Sequence, residues 1–122
     1  MNVLIIEDNV ANAYLAGYLL SARGHTHEVA STVRAGLEAA LRAAWDVIVL
    51  DLHLPDGGGE TVARALRAAS PPILTPIVAV TSFALASDRE IAFAAGCDAY
   101  LEKPLDPERF TAELESWGSA RP

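Results

Sequence analysis

Four apolar residues, Val47 to Leu50, run straight into the carboxylate of Asp51. The pattern recurs: Val3–Ile6 runs into Glu7 and Asp8, Ile77–Val80 into Thr81 and Ser82, and Ala99–Leu101 into Glu102 and Lys103. If these runs are parallel strands of one sheet, their ends lie along one edge, and acids, hydroxyls and one ammonium meet around Asp51. Glu7, Asp8 and Asp51 converging in one crevice would each resist ionisation unless a cation joined them. Carboxylates, a backbone carbonyl and water are the ligands Mg2+ prefers. The metal alone does not require Lys103 or Thr81. Both make sense if an anion also enters, because an ammonium and a hydroxyl facing a metal-bound carboxylate form a phosphoryl site. A carboxylate in line with that group can be its nucleophile. Blander readings exist: Glu7 and Asp8 as helix caps, Thr81 as a strand-end threonine, Lys103 as a solvated lysine. Taken singly, Thr81 and Lys103 favour the bland reading; together, at matching strand ends, they favour the chemical one.

The elements that must position these groups follow in chain order. Val3–Ile6 reads as a strand buried on both faces. Asn9 can cap a first helix, with Ala11, Leu15, Tyr18, Leu19 and Ala22 at helical spacing and Gly24 closing it. Thr26–Ala30 is a more polar strand, suited to an edge. Ser31 or Thr32 can cap a second helix with an apolar stripe of Val33, Leu37, Ala40, Leu41 and Ala44. After Asp51 come Pro55, Asp56 and Gly57–Gly59, then a third helix with Val62, Ala63, Leu66 and Ala69 on one face, ended by Ser70-Pro71-Pro72. A fourth helix is expected from about Ser87 to Ala95, ended by Gly96. Asp106 caps a last helix with Pro107 at its first position and Phe110, Leu114 and Trp117 on its apolar face. Five strands alternating with five helices imply right-handed crossovers and a parallel sheet covered on both faces. The apolar runs ending at Ile6, Leu50 and Val80 should be central and the polar runs near Val29 and Tyr100 edges, which gives order 2-1-3-4-5. Such α/β sheets bind ligands at the carboxyl ends of their strands, between strands one and three.

Composition narrows the function classes. The 122 residues suit one domain, expected at 1–117 with a loose tail at 118–122. A net charge of −7 argues against a nucleic-acid surface. The single cysteine, Cys97, excludes an intrachain disulfide framework and reads as a buried structural thiol. The run Val3–Ile6 is too short for a signal peptide or membrane span, so the expected location is the cytoplasm, with no membrane partner.

The set Glu7-Asp8, Asp51 with Pro55, Thr81-Ser82 and Lys103-Pro104 resembles the signature of bacterial response-regulator receiver domains, the CheY-like superfamily. The likeness runs from Val3 to about Trp117, and Asp88-Arg89-Glu90 and Ala94 to Pro104 also lie close to the family pattern. The resemblance implies a flavodoxin-like (βα)5 fold and a phosphorylation-driven switch. Asp51 would accept a phosphoryl group from a histidine of a sensor kinase or phosphotransfer protein. Asp8, Asp51 and the main-chain carbonyl of His53 would bind Mg2+, or Mn2+ in its place, with Glu7 acting through water. Lys103 would pair with phosphoryl oxygens. Thr81 would hydrogen-bond one of them in the active state, with Ser82 beside it. Tyr100 matches the switch aromatic that turns inward when Thr81 moves, and Lys103-Pro104 is expected cis. The output face would be the fourth helix, fifth strand and fifth helix, open to a downstream protein or to a second copy in a homodimer. Only a short tail follows Trp117, so the signal is expected to leave through such a partner, unless the chain is a piece of a longer one.

The departures remove no chemical group. Glu7 stands where many members carry Asp, Gly57 and Gly58 loosen the loop, and Ser82 stands where alanine is frequent. Glu7-Asp8-Asn9-x-x-Asn12 resembles receivers of hybrid kinases and single-domain phosphorelay proteins. For His53 two readings stand side by side: an imidazole near the phosphoryl group that affects hydrolysis, or an exposed histidine without a role. His25 and His27 read as surface residues. The rival function is a Mg2+-dependent phosphohydrolase using an aspartyl phosphate, whose fold relatives place an acid two residues after the nucleophile, where this chain has His53. A receiver-like module that no longer takes phosphate would lack acids or the lysine, and none is lacking. A flavin protein of this topology would need a hydroxyl-rich loop where Glu7-Asp8-Asn9 stands.

Overall fold

The structure, a computed structural model, describes residues 1–82 and 86–119. The apolar runs form the five-stranded parallel sheet: β1 (Asn2–Ile6), β2 (Thr26–Ala30), β3 (Val47–Asp51), β4 (Ile77–Thr81) and β5 (Ala99–Glu102). Its order is β2-β1-β3-β4-β5, with the apolar runs central and the more polar ones at the edges, as expected. β3 sits in the middle and is buried along its whole length, whereas β2 is exposed at four of its five positions, which suits an edge.

Alternation along each strand divides the core in two. Leu4, Ile6, Ile48, Leu50, Ile77 and Ala79 face α2 (Val33–Arg42), α3 (Glu60–Ala68) and α4 (Ala86–Ala95). Val3, Ile5, Val47, Val49, Val78 and Val80 face α1 (Val10–Ser21) and α5 (Pro107–Ser119). Helix starts are set where the sequence suggested. Asn9 Oδ1 accepts from Asn12 N at 2.9 Å, and Thr32, rather than Ser31, caps α2 by accepting from Ala35 N at 2.9 Å. Asp106 Oδ1 accepts from Glu108 N at 3.0 Å at the start of α5.

Two helix faces differ from the spacing. In α1 the buried residues are Ala13, Ala16, Gly17 and Leu20, while Tyr18 is exposed and Ala22 is the C-cap. The helix is apolar all round, so its sequence carries no phase. The inward side is selected by size, because small residues let the axis approach the sheet. In α2 the expected stripe holds for Val33, Leu37 and Ala40, which pack on the core, but Gly36 and Ala39 are also inward, Leu41 is exposed, and the helix ends before Ala44. A Cβ on Gly36 would stand 2.8 Å from the Ile6 side chain, which shows how closely α2 lies on β1.

Beyond Asp51 the glycine-rich loop folds into a small ribbon pairing His53–Leu54 with Gly57–Gly58. Asp56 at its tip accepts from Val33 N at 2.7 Å and Arg34 N at 3.1 Å, tying this loop to the start of α2. The peptide bonds before Pro71 and Pro104 are cis. α5 runs through Gly118 and Ser119, two residues into the segment expected as a loose tail; the rest of that segment lies outside the described residues.

Candidate functional site

Parallel register brings the strand ends together. Ile6 pairs with Leu50, Asp51 with Val80, and Thr81 with Glu102, so Glu7, Asp51, Thr81 and Lys103 line one edge of the sheet. The switch between β1 and β3 leaves a crevice there of about 200 Å³, lined by Glu7, Asp8, Asn9, Asn12, Asp51, His53, Ser82 and Lys103.

Asp51 is buried, 4 % exposed, because β3 is central and its flanking strands wall it in. Its Oδ1 accepts from the main-chain N–H of His53 at 3.0 Å, and Lys103 Nζ lies 3.3 Å from its Oδ2. The same ammonium touches Glu7 Oε1, so one buried cation bridges two buried acids at the ends of β1 and β3. Glu7 Oε2 also accepts from Asn9 N at 3.2 Å. Burial pushes the Glu7 carboxyl up to about 7, and its hydrogen bond with Asp51 adds to the rise. Lys103 pulls the other way without cancelling it.

Asp8 is exposed, yet one of its oxygens lies within 4.8 Å of an oxygen of Glu7 and of Asp51, these two also lying within that distance of each other. Three carboxylates of mixed burial, open on the Asp8 side, make an all-oxygen donor set of the kind hard divalent cations take. Thr81 is fully buried at the end of β4, and Ser82 after it is exposed in the crevice wall. Tyr100 is partly buried on β5 and packs against the core; burial, then Asp88 and Glu102, raise its hydroxyl above the ordinary value.

Every site residue expected from the sequence, apart from Tyr100 and Pro104, falls on this edge and close to Asp51. Tyr100 and Pro104 line a second cavity of about 300 Å³ with Arg89, Asp106 and Arg109, on the side of β5 and α5. The sequence placed Asp88 in the family pattern but gave no sign of its contact with His53, whose Nε2 lies 3.8 Å from Asp88 Oδ2. Nor did it show the Asp56 ties to α2. Both join segments far apart in the chain, and local spacing carries no sign of them. His25, read as a surface residue, is only 13 % exposed and lies between the terminal amine and Glu115.

Comparison with known proteins bears on this arrangement. The response regulator receiver domain family matches residues 3–115. The polar-differentiation response regulator DivK of Brucella ovis is 36% identical over 119 residues, covering 95% of this chain and 94% of the relative. The receiver domain of the sensor histidine kinase PA1611 from Pseudomonas aeruginosa PAO1, whose crystal structure has a magnesium ion coordinated in the active site cleft, superposes with a TM-score of 0.89. It is 29% identical and covers 98% of each chain. A two-component response regulator from Clostridium difficile superposes at 0.90 with 25% identity, covering 98% of this chain and 97% of that one.

Proposed function

This chain belongs to the response-regulator receiver domain family, and from that premise we propose that it is a phosphorylation-dependent switch of a two-component or phosphorelay system, with Asp51 as the phosphoacceptor. The observation that carries the reading is the Lys103 ammonium, buried between Glu7 and Asp51 at the mouth of the crevice. A buried ion pair is poor evidence of a purely stabilising role, and an ammonium facing a carboxylate nucleophile is placed to pair with phosphoryl oxygens. In the transfer step an Asp51 oxygen attacks the phosphorus of a phosphohistidine on a sensor kinase or phosphotransfer protein. The P–O bond forms as the P–N bond breaks, and the electron pair returns to the donor's imidazole nitrogen.

The carboxylates of Glu7, Asp8 and Asp51 fit Mg2+; Asp8, Asp51 and the main-chain carbonyl of His53 would hold it, with Glu7 acting through water. When bound it neutralises charge on the phosphoryl oxygens. Nothing in the donor set singles out Mn2+. Lys103 turns from Asp51 toward the new phosphoryl oxygens. Phosphorylation adds about −1.5 to −2 charge; the Thr81 hydroxyl answers it, with Ser82 beside it, and Tyr100 carries the change to the face of α4, β5 and α5. A downstream protein, or a second copy in a homodimer, reads that face. We assign the receiver to residues 1–117, extended by the last residues of α5. No helix among the described residues is long and apolar enough to cross a membrane, and a cytoplasmic location belongs to the same proposal.

The test is incubation with a small phosphodonor and Mg2+. Wild type should take up label and Asp51→Asn should not. Equal labelling of the two proteins would sink the reading, and steady turnover of an external phosphomonoester would favour a phosphohydrolase.

A further inference from the structure

His53 stands astride the crevice. Its main-chain N–H holds Asp51 Oδ1 at 3.0 Å, while its imidazole reaches the other way, with Nε2 3.8 Å from Asp88 Oδ2. Asp88 lies in the first turn of α4, and its Oδ2 is buried with no hydrogen-bond partner among the described residues. A buried carboxylate oxygen without a donor is costly. At 3.8 Å the imidazole is just outside hydrogen-bond range of Asp88 Oδ2. The His53 side chain is 48% exposed, so about half of it faces solvent.

Resting on the phosphoacceptor reading of Asp51, we propose that Asp88 is a positioning residue: it holds the His53 imidazole against α4 in the unphosphorylated protein, and a phosphoryl group on Asp51 competes for that imidazole and releases the first turn of α4. A phosphoryl group brings three strong acceptor oxygens to the carboxylate that the His53 backbone already touches. The imidazole N–H then has two acceptors and serves one at a time. The coupling is reciprocal: the hold of Asp88 weakens phosphoryl binding by the same factor by which a phosphoryl group weakens that hold. The contact thus links the phosphoacceptor loop to α4 directly, separately from Thr81 and Tyr100.

Beryllofluoride with Mg2+, titrated calorimetrically into the intact protein, is the probe. Asp88→Ala should tighten its binding by about fivefold, in the range of ordinary site-to-site couplings. Asp88→Asn, which keeps the shape and loses the charge, should shift it the same way by less. In a His53→Ala background neither substitution should matter. The imidazole ¹⁵N signals of His53 should move on beryllofluoride addition in wild type, and should already be displaced in Asp88→Ala. Unchanged or weaker binding by both Asp88 variants overturns the proposal, as does an effect that persists without His53. Wild-type binding that Asp51→Asn abolishes leaves the phosphoacceptor reading standing whatever the Asp88 variants do, whereas no wild-type binding overturns both.

Discussion

Glu7 is buried beside Asp51, and both circumstances lift its carboxyl to about 7 although Lys103 touches it. In the unfolded chain the group titrates near its ordinary 4.5, so between about pH 4.5 and 7 the folded protein holds a proton that the unfolded chain has released. The contribution of Glu7 to stability is therefore complete below pH 4.5 and is lost as pH rises through 7. A divalent cation needs that carboxyl ionised. Mg2+ affinity should accordingly rise with pH, by up to about tenfold between pH 6 and 7 for one displaced proton, as read by calorimetry. Glu7→Gln should flatten that profile and weaken binding by about tenfold or more, the scale of outer-shell losses at metal sites. A profile as steep in Glu7→Gln as in wild type would assign the proton elsewhere. The long side chain of Glu7 reaches Lys103 while Asp8 stays exposed, so the two adjacent acids are not interchangeable.

At the scale of elements, the loop after β3 is fixed by close approach. A Cβ on Gly59 would stand 2.0 Å from the backbone oxygen of Asp51. Backbone cannot yield as a side-chain tip can, so Gly59→Ala should cost about 1–3 kcal/mol, as overpacking does, and should also reduce labelling of Asp51. Urea unfolding and phosphodonor labelling measure the two effects, and normal labelling in a destabilised variant would show that the loop moved without disturbing Asp51. Thr32 offers a contrast. Its side chain caps α2 away from the crevice, so Thr32→Ala should cost about 1 kcal/mol and leave labelling unchanged. How far such elements could be read from the sequence varied with their chemistry. α3 was legible because Val62, Ala63 and Leu66 alternate with charged residues. α1 was not, since Val10, Tyr14 and Tyr18 are as apolar as the small residues that turned out to face the sheet.

For the whole molecule, the acidic crevice is a stored cost of folding. β1, β3 and β4 are buried on both faces, and their packing against the helices brings Glu7, Asp8 and Asp51 together with no regard for their repulsion. A cation that binds only the folded protein offsets that cost by mass action. Mg2+ at a hundred times its dissociation constant should stabilise the fold by about 2.7 kcal/mol. A thermal or urea scan should show the gain, EDTA should reverse it, and Asp8→Asn with Asp51→Asn should abolish it. Stabilisation that survives both substitutions would place the cation at another site.

The sequence by itself determined the strands, their order and the residues that meet at their ends, because a buried parallel strand must be continuously apolar and its chemistry can begin only where the run stops. Glu7, Asp51, Thr81 and Lys103 were legible for that reason. Tertiary structure alone decided which acid Lys103 bridges to Asp51, which side of α1 faces the sheet, that Asp56 ties its loop to α2, and that His53 meets Asp88. Each of these depends on distances between segments that the chain keeps far apart. Periodicity reports the face of one element, whereas such contacts are set only when the elements pack.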